Sequence, residues 1–311
     1  MNTATWGLKA THYVRLDGPQ ETFTDVLINA MDLVWSPTAI GWAHGRPNPA
    51  NANANDKPAP RLQYLISRFL SMITHFILLD FAQWAILVVG PKELDTFEGG
   101  RVYDASLPPI RRFICASAVT LFEACCIICG LTWTTDLAAL IGVGLFGSPA
   151  ERWPRAFNRP WASTSLARFW SRGWHQQGRL ALLGFGGAPV AYLTGSKRVG
   201  RVAGTFLASA VVHEVAALPF GTPIGVARYG IGGFFIMSGV GVLLELAWIR
   251  LTGRRVAGFA GWIWTWTWMI LTANWLLDSW CQRGMVYMKA TPDERRPAYW
   301  IWHNILGFER H

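Results

Sequence analysis

Apolar residues gather in long windows that short polar and basic stretches separate. The window 66–90 contains one Asp and one His near its middle, and the window 112–133 contains a single Glu. Three more windows follow at 202–220, 230–249 and 258–280. Their lengths approach or exceed the ~20 residues with which a helix crosses the hydrocarbon core of a membrane. The pattern predicts an all-α fold, a polytopic integral membrane helical bundle.

Two shorter apolar windows are harder to assign. Residues 136–147 are too few for a full span and predict a re-entrant segment or a buried half-helix. Residues 180–195 are also short, contain several glycines and a proline, and lie between the basic loops 151–179 and 196–201. Because cytosolic loops accumulate Lys and Arg, we predict that 180–195 dips into the membrane and returns, with an internal cavity covering its backbone. The bundle is expected to have about 5–7 transmembrane helices plus re-entrant segments.

The pattern divides the chain into three regions. Residues 1–60 are predicted to hold an interfacial helix at 21–34, whose apolar stripe is equally compatible with ordinary packing against the bundle, and a flexible loop at 45–60. The multi-pass membrane domain follows at 61–285, and 286–311 forms a C-terminal tail.

Charge and cysteine content narrow the function classes. The net charge is +9, with 28 Lys and Arg residues against 19 acidic ones. In a membrane protein this excess is explained by cytosolic loops, and it does not indicate a nucleic-acid partner, although a basic cytosolic loop also attracts an anionic ligand. The five cysteines lack both a disulfide framework and metal-ligand spacing, so no metal is expected.

His213 is the most informative position for chemistry. It follows Arg201 by twelve residues, which places it ~18 Å along a helix from that basic edge, near the middle of a ~30 Å core. An ionisable residue at this depth indicates a functional site, and a buried neutral imidazole is the form that a general base requires. The alternative is a histidine that only hydrogen-bonds a neighbouring helix. Glu214 points about 100° away on a helix and is expected to pair with an arginine or a backbone group instead.

The stretch 165–179 combines three arginines, two tryptophans and a histidine. If it is helical, Arg168, Arg172 and His175 share one face, and a more apolar flank carries Trp170. The planar guanidinium fork binds phosphate oxygens in pairs, so this face is a candidate phosphate site. The alternative is a basic interfacial helix that binds no ligand.

Several motifs together resemble a known family. They are LFGSP at 145–149, STSLARFWSRGWHQ at 163–176, FLASAVVHE at 206–214 and the short IGW at 40–42. In order and approximate spacing they resemble the wax synthase branch of the membrane-bound O-acyltransferases, and above all the fungal members that acylate hydroxyl groups of secondary metabolites. The resemblance covers about residues 35–285.

The resemblance implies specific roles for the candidate residues. His213 matches the active-centre histidine, which would take the proton from an alcohol as its oxygen attacks a thioester. His175 matches a second recurrent position that would orient the thioester or stabilise the oxyanion. The residues that would bind acyl-CoA are Arg168, Arg172, Arg179 and Trp174. The residues that would support the substrate and the site are Trp170, Glu214 and Ser209.

The resemblance also implies substrates and location, and alternatives stay open beside it. It favours acetyl-CoA as donor, a lipophilic alcohol such as a terpenoid or polyketide as acceptor, and the endoplasmic reticulum with basic loops facing the cytosol. One alternative is a membrane-bound terpenoid cyclase or isomerase, which needs a protonated carboxylic acid at Glu123, Asp80 or Glu245. Another is a non-enzymatic transporter. The sequence leaves the acceptor and the oligomeric state undetermined.

Overall fold

The computed structural model describes residues 60–175, 177–221, 223, 225–287 and 296–305. The helices in these residues are, in chain order, α1 (Arg61–Val89), α2 (Pro109–Gly144), α3 (Leu166–Arg168), α4 (Arg179–Leu182), α5 (Ala188–Leu193), α6 (Lys197–Ala217), α7 (Gly230–Thr252), α8 (Gly258–Cys281) and α9 (Pro297–Asn304). Two π-helical turns continue α3 and join α4 to α5, at Phe169–Gly173 and Leu183–Gly187. Short 3₁₀-helical turns occupy Lys92–Asp95, Ala150–Arg152, Pro160–Ala162, Leu218–Phe220, Gly225–Tyr229 and Met285–Tyr287.

Helices α1 and α2 form a closely packed pair. Pro109 stands in the first turn of α2, where a proline costs no intrahelical hydrogen bond. At the other end of α2, the guanidinium of Arg61 donates to the carbonyl oxygens of Val143 and Gly144, at 2.9 and 3.0 Å. These carbonyls have no partner within their own helix, so α1 caps the end of α2.

The window 136–147 is not a separate re-entrant segment, and that prediction is wrong. Helix α2 continues to Gly144 and is 36 residues long. The acidic residue that interrupts the apolar run, Asp136, is buried, and Arg68 of α1 donates to its Oδ1 at 2.6 Å. A buried carboxylate with a paired guanidinium avoids the large cost of an isolated charge, so the helix passes through this position unbroken.

Residues 179–193 form one helical rod rather than a dip, and the predicted return within 180–195 is wrong. Gly195, with a φ of 64°, turns the chain, and α6 then runs back along the rod. Gly186 and Gly204 face each other so closely that a side chain on either would collide with the opposite backbone. Small residues of this kind allow two helices to pack tightly, which is the physical reason that the glycines do not break the rod.

Within the described chain, four stretches are long and apolar enough to cross a membrane: Arg61–Val89, Pro109–Gly144, Lys197–Phe220 and Ala227–Thr252. The fifth predicted window forms α8, which is 24 residues long. It falls outside this group because its many tryptophan, threonine and other polar residues lower the mean hydropathy. Helix α8 still packs between α7 and α2 and so belongs to the same bundle.

The C-terminal region 286–311 is attached to the bundle through buried charge. Arg296 donates from Nε to Oδ1 of Asp80 in α1 at 2.6 Å, and the backbone N–H of Ala298 donates to Oδ2 of the same carboxylate at 2.7 Å. Helix α9 thereby packs on α1. Arg296 is therefore part of a buried ion pair and does not count as a free loop charge. The predicted interfacial helix and nearly all of the predicted loop within 1–60 lie outside the described residues.

Two apolar cores hold the helices together. The first joins α1, α2 and α8 and includes Ile86, Val119 and Leu277. The second joins α3, α6, α7 and α8 and includes Phe169 and Ile231. A cavity lies between the two groups of helices, and its walls come from both.

Candidate active site

The two predicted histidines line one cavity of about 850 Å³. This volume is within the range of ~300–1,000 Å³ that is usual for small-molecule sites. His213 enters it from α6, and His175 enters it from the chain that follows α3. Trp170, Trp174 and Ser209 line the same cavity. Two segments that the sequence placed in different motifs therefore share one site.

His213 is held by its own helix in an orientation that leaves one ring nitrogen available. Its Nδ1 lies 2.8 Å from the backbone carbonyl oxygen of Ser209 and 3.4 Å from the hydroxyl of the same residue. A carbonyl oxygen only accepts hydrogen bonds, so in the neutral ring Nδ1 carries the proton and Nε2 keeps the lone pair. The ring packs on Phe235 with a centroid distance of 4.2 Å. This arrangement suits Nε2 as a proton acceptor.

Glu214 lies beside His213 in the sequence but serves a different contact. Its Oε1 accepts from the backbone N–H of Gly232 at 2.9 Å, and its Oε2 lies 3.3 Å from Nη2 of Arg283. The predicted pairing of Glu214 with an arginine or a backbone group is confirmed. The carboxylate ties α6 to the start of α7 and to the residues after α8.

The chain that carries Trp170 is anchored by a buried carboxylate. Oε1 of Glu245, in α7, accepts from the backbone N–H of Leu166 at 2.6 Å, and Oε2 accepts from that of Ala167 at 2.9 Å. Glu245 also accepts from Nε1 of Trp264 at 3.0 Å. These contacts satisfy amide groups that a helix start leaves without partners, and so fix where α3 begins.

The stretch 165–179 is not one continuous helix, so the condition for a shared face of Arg168, Arg172 and His175 is not met. Helix α3 is one short turn, the π-helical turn Phe169–Gly173 follows, and Trp174 is already extended. The π-helical turn sends both Trp170 and Trp174 toward the cavity, where they pack at a ring centroid distance of 6.2 Å. A wide turn of this type often occurs at functional sites.

His175 is held among aromatic rings and has an unused ring nitrogen. Its ring lies 5.9 Å from that of Phe157 and 5.7 Å from that of Trp174, between centroids. Its Nδ1 is buried and has no hydrogen-bond partner in the described chain. Burial, and secondly the nearby charge that His213 would carry, lowers the pKa of His175 from its ordinary 6.5 to about 4. His175 is therefore neutral at pH 7 and has one ring N–H to donate.

This pKa predicts how the stability of the protein depends on pH. The unfolded chain protonates His175 near pH 6.5 and the folded chain only near pH 4. The unfolded state binds more protons between these values, so acidification through this range lowers the free energy of unfolding, by on the order of 3 kcal/mol from this residue. We expect His175→Gln to lose less stability than wild type between about pH 7 and pH 4, measured by thermal unfolding in detergent. Identical pH dependence in the two proteins would contradict the prediction.

Of the three arginines predicted to bind the donor, only one lines the cavity in the described chain. Arg179 lines it and donates from Nη1 to the backbone carbonyl of Ser171 at 3.1 Å. Arg168 and Arg172 are exposed and do not line it. A basic end is formed instead by three exposed residues at the start of α6, namely Lys197, Arg198 and Arg201. The distance along α6 from Arg201 to His213 is ~18 Å.

Metal ligands are not clustered in the parts of the chain that the structure describes. No group of three or more His, Cys, Asp or Glu side chains there has the arrangement to hold a metal ion. The described cysteines are all free thiols, and the sulfur atoms of Cys125 and Cys129 approach each other to 3.9 Å within α2.

The comparison with protein families bears directly on this site. Residues 153–237 match the family described as "Membrane bound O-acyl transferase family". The matched range contains His175, His213 and all of the chain between them. Over this range the chain is similar to the membrane-bound O-acyltransferases. This similarity and the long apolar helices confirm the predicted all-α integral membrane bundle. The predicted wax synthase branch stays a prediction.

Three fungal proteins are similar to this chain. An "O-Mevalon transferase" of Aspergillus niger is 28% identical over 52% of this chain and 41% of its own length. An "Acetyltransferase" of Arthrinium sp is 26% identical over 83% of this chain and 64% of its own length. An "Acetyltransferase" of Hericium erinaceus is 24% identical over 81% of this chain and 66% of its own length. The chain thus spans between 41% and 66% of the length of these relatives. No solved structure matches.

Two features of the site could not be assigned from the sequence. The loop 196–201 was visible as a basic cluster, but only the hairpin of 179–193 with α6 brings it to the rim of the cavity. Glu245 was visible as an isolated acid in an apolar window. Its partners are backbone amides 78 and 79 residues away, for which a side-chain pattern gives no signal.

Proposed function

We propose that this protein is an acyl-CoA-dependent O-acyltransferase that esterifies a hydroxyl group of a lipophilic alcohol. The observation that carries the proposal is the shared cavity, in which His213 and His175 meet between a basic end and apolar helix faces. The match of residues 153–237 to the O-acyltransferase family supports acyl transfer as the reaction class. A charged donor and an apolar acceptor need a site of this composition.

In the proposed reaction His213 is the general base. Its Nε2 accepts the proton of the acceptor hydroxyl while that oxygen attacks the carbonyl carbon of the thioester. The carbon–sulfur bond then breaks, and the thiolate takes the proton from the imidazolium, which leaves an ester and free coenzyme A. The hydrogen bond from Nδ1 to Ser209 holds the tautomer in which Nε2 is basic. Ser209 thereby has the support role that the motif implied.

His175 is proposed to stabilise the negative charge that forms on the thioester oxygen. The neutral ring that follows from its lowered pKa has one N–H to donate, and Nδ1 makes no other hydrogen bond in the described chain. A donor that is fixed before the reaction stabilises a developing oxyanion without reorganisation. Trp170 and Trp174 support this position because their rings pack around the chain before His175.

The phosphates of coenzyme A are proposed to bind at the basic end. Lys197, Arg198 and Arg201 are exposed at the rim, and Arg179 lies further along the cavity wall. Arginine and lysine favour phosphate through charge-assisted hydrogen bonds. Arg168 is exposed outside the cavity, and for it and Arg172 the predicted contact with the donor stays a prediction.

The names of the relatives support a short acyl donor. Two of the three similar fungal proteins are named acetyltransferases, and the third is named for mevalon transfer. We propose acetyl-CoA as the donor and a terpenoid or polyketide alcohol as the acceptor. We further propose the endoplasmic reticulum as the membrane, with the basic end facing the cytosol, where acyl-CoA is made.

The alternative of an acid-driven cyclase or isomerase has less support. Of its three candidate acids, Asp80 accepts two hydrogen bonds from Arg296 and Ala298, and Glu245 accepts three from α3 and Trp264. These acids are fully engaged with structural partners. Only Glu123 lines the cavity.

The experiment that tests acyl transfer measures thiol release from acetyl-CoA. Membranes that contain the protein are incubated with a pool of hydroxylated lipophilic metabolites, and products are followed for the added acetyl mass. Acceptor-dependent thiol release with acetylated product is expected. Consumption of an acceptor without thiol release would favour the cyclase, and the absence of release with acetyl-CoA and longer acyl-CoA donors would contradict the proposal.

A further inference from the structure

Glu123 is a carboxyl group of the cavity to which the proposed reaction gives no role. It lies in α2, whose residues Thr120, Leu121, Ala124 and Ile127 line the cavity around it. Glu123 is the one acidic side chain among the described residues that line this cavity. The basic side chains of the same cavity belong to α4 and α6, and none of them forms an ion pair with it.

The bonding of Glu123 differs from that of every other acidic residue in the long helices that the structure describes. There are five of these others, and each has at least one charged or backbone partner: Asp80 with Arg296, Asp136 with Arg68, Glu214 with Arg283, Glu245 with Leu166, and Asp278 with Val102. Glu123 makes no hydrogen bond and no ion pair in the described chain. The fold therefore satisfies the acids that it uses structurally and leaves this one open to the cavity.

An unpaired carboxyl group in an apolar cavity wall lowers the stability of the folded protein. Transfer of a polar group into an apolar environment without a hydrogen bond costs roughly 1–3 kcal/mol by mutational measures, and more if the group is charged. Ionisable residues inside a membrane protein are therefore rare and mark substrate pathways by default. The surrounding wall of Leu121, Ala124 and Ile127 offers no hydrogen-bond donor side chain. The Thr120 hydroxyl on the same wall already donates elsewhere, so a bound molecule can supply the donor that Glu123 lacks.

We propose that Glu123 binds a second hydrogen-bond donor, a hydroxyl or an amine, on the acceptor alcohol. This inference rests on the proposed acyl transfer and specifies its acceptor class as diols or amino alcohols with an apolar frame. The first hydroxyl reacts at His213, while the second group donates to the Glu123 carboxyl and fixes the end of the acceptor that is not acylated. An acceptor with one hydroxyl leaves Glu123 unpaired, and sites of this kind discriminate against such analogues.

The test uses flexible probes, since their chain lengths sample the separation between the two groups. Alkane-α,ω-diols, the matching amino alcohols and the 1-alkanols of equal length are supplied with acetyl-CoA. Wild type is compared with Glu123→Gln, which keeps an acceptor oxygen without the charge, and Glu123→Leu, which removes both. Thr134→Val is the matched control, because Thr134 lies on the same helix, is exposed, and bonds only its own backbone. Thermal unfolding in detergent with each probe provides a second readout that does not need turnover.

At the best chain length, wild type and Thr134→Val are expected to prefer the bifunctional probe over the 1-alkanol by about 10- to 100-fold in kcat/KM. The same probe should raise the unfolding midpoint more than the alkanol does. Both differences should vanish in Glu123→Leu. Glu123→Gln should keep the preference if the donor is a hydroxyl and lose most of it if the donor is an ammonium group, since only the latter needs the charge.

The outcomes separate this inference from the proposed function. Equal transfer to diols, amino alcohols and alkanols in wild type would overturn the Glu123 subsite and leave acyl transfer intact. A bifunctional preference that persists in Glu123→Leu would likewise overturn it. If no probe is acylated, a midpoint increase that is specific to bifunctional probes and lost in Glu123→Leu would support the subsite and contradict acyl transfer. If neither turnover nor a specific midpoint increase occurs, both are overturned.

Discussion

Replacement of His213 by alanine is expected to lower kcat for acyl transfer by roughly 10²–10⁴-fold, the usual contribution of general-base catalysis. The physical reason is that His213 lines the cavity and that its Nε2 keeps the lone pair, because Nδ1 donates to the Ser209 carbonyl. The measurement is acceptor-dependent thiol release at saturating acetyl-CoA. The unfolding midpoint of the variant should change little by comparison, since the ring is only half-buried.

The chain offers a matched control for this variant in His75. Its Nδ1 lies 2.7 Å from the carbonyl oxygen of Ser71, four residues earlier on α1, and 3.3 Å from the Ser71 hydroxyl. The local geometry thus repeats that of Ser209 and His213, but His75 does not line the cavity. His75→Ala should leave turnover unchanged. Turnover that survives in His213→Ala would remove the base role from His213, and equal losses in both variants would indicate a structural effect.

The second large effect is expected for Glu245, which we regard as a positioning residue. Glu245→Leu leaves the backbone N–H groups of Leu166 and Ala167 and the Nε1–H of Trp264 without their acceptor. Each unpaired buried donor costs about 1–3 kcal/mol. The start of α3 should shift and carry the chain that leads to His175 with it. We expect a drop in kcat/KM of about 10- to 100-fold together with a lower unfolding midpoint.

Two readouts distinguish displacement of the site from a general loss of stability. Asp136→Asn is the matched control, because it breaks a buried ion pair with Arg68 that lies outside the cavity. It should lower the unfolding midpoint but leave kcat of the folded fraction, isolated by size-exclusion chromatography, unchanged. In Glu245→Leu the acid-side loss of stability that comes from His175 should also shrink, since the displaced ring returns to water. Normal turnover in folded Glu245→Leu would contradict the positioning role.

The membrane character of the chain and the distance of His213 from Arg201 could be predicted from local sequence alone. A helix that crosses a membrane must satisfy its backbone internally and present apolar side chains along its whole length, so each span is readable without knowledge of its neighbours. The windows that begin near 66, 112, 202 and 230 became long apolar helices for this reason. His213 follows Arg201 on a continuous helix, so its distance from the basic edge is fixed by the helical rise.

The wrong predictions for 136–147 and 180–195 share one cause. In both cases a residue that is unfavourable in an isolated apolar helix is stabilised by contact with a residue distant in the sequence. Arg68 neutralises Asp136 from α1, and Gly204 packs against Gly186 from α6. The sequence shows the acidic residue or the glycines inside an apolar run, but it does not show which residue of another helix contacts them. That contact is defined only once the helices have packed together.

By itself, the sequence determined an all-α membrane bundle, the family motifs and the two histidines as candidates for chemistry. Only the tertiary structure decided that these histidines share a cavity, that Lys197, Arg198 and Arg201 form its basic end, and that Glu245 anchors α3. It also decided which acids are paired and that Glu123 is left open. The physical reason is that span formation depends on hydrophobicity within one segment, whereas a binding site depends on which segments pack together.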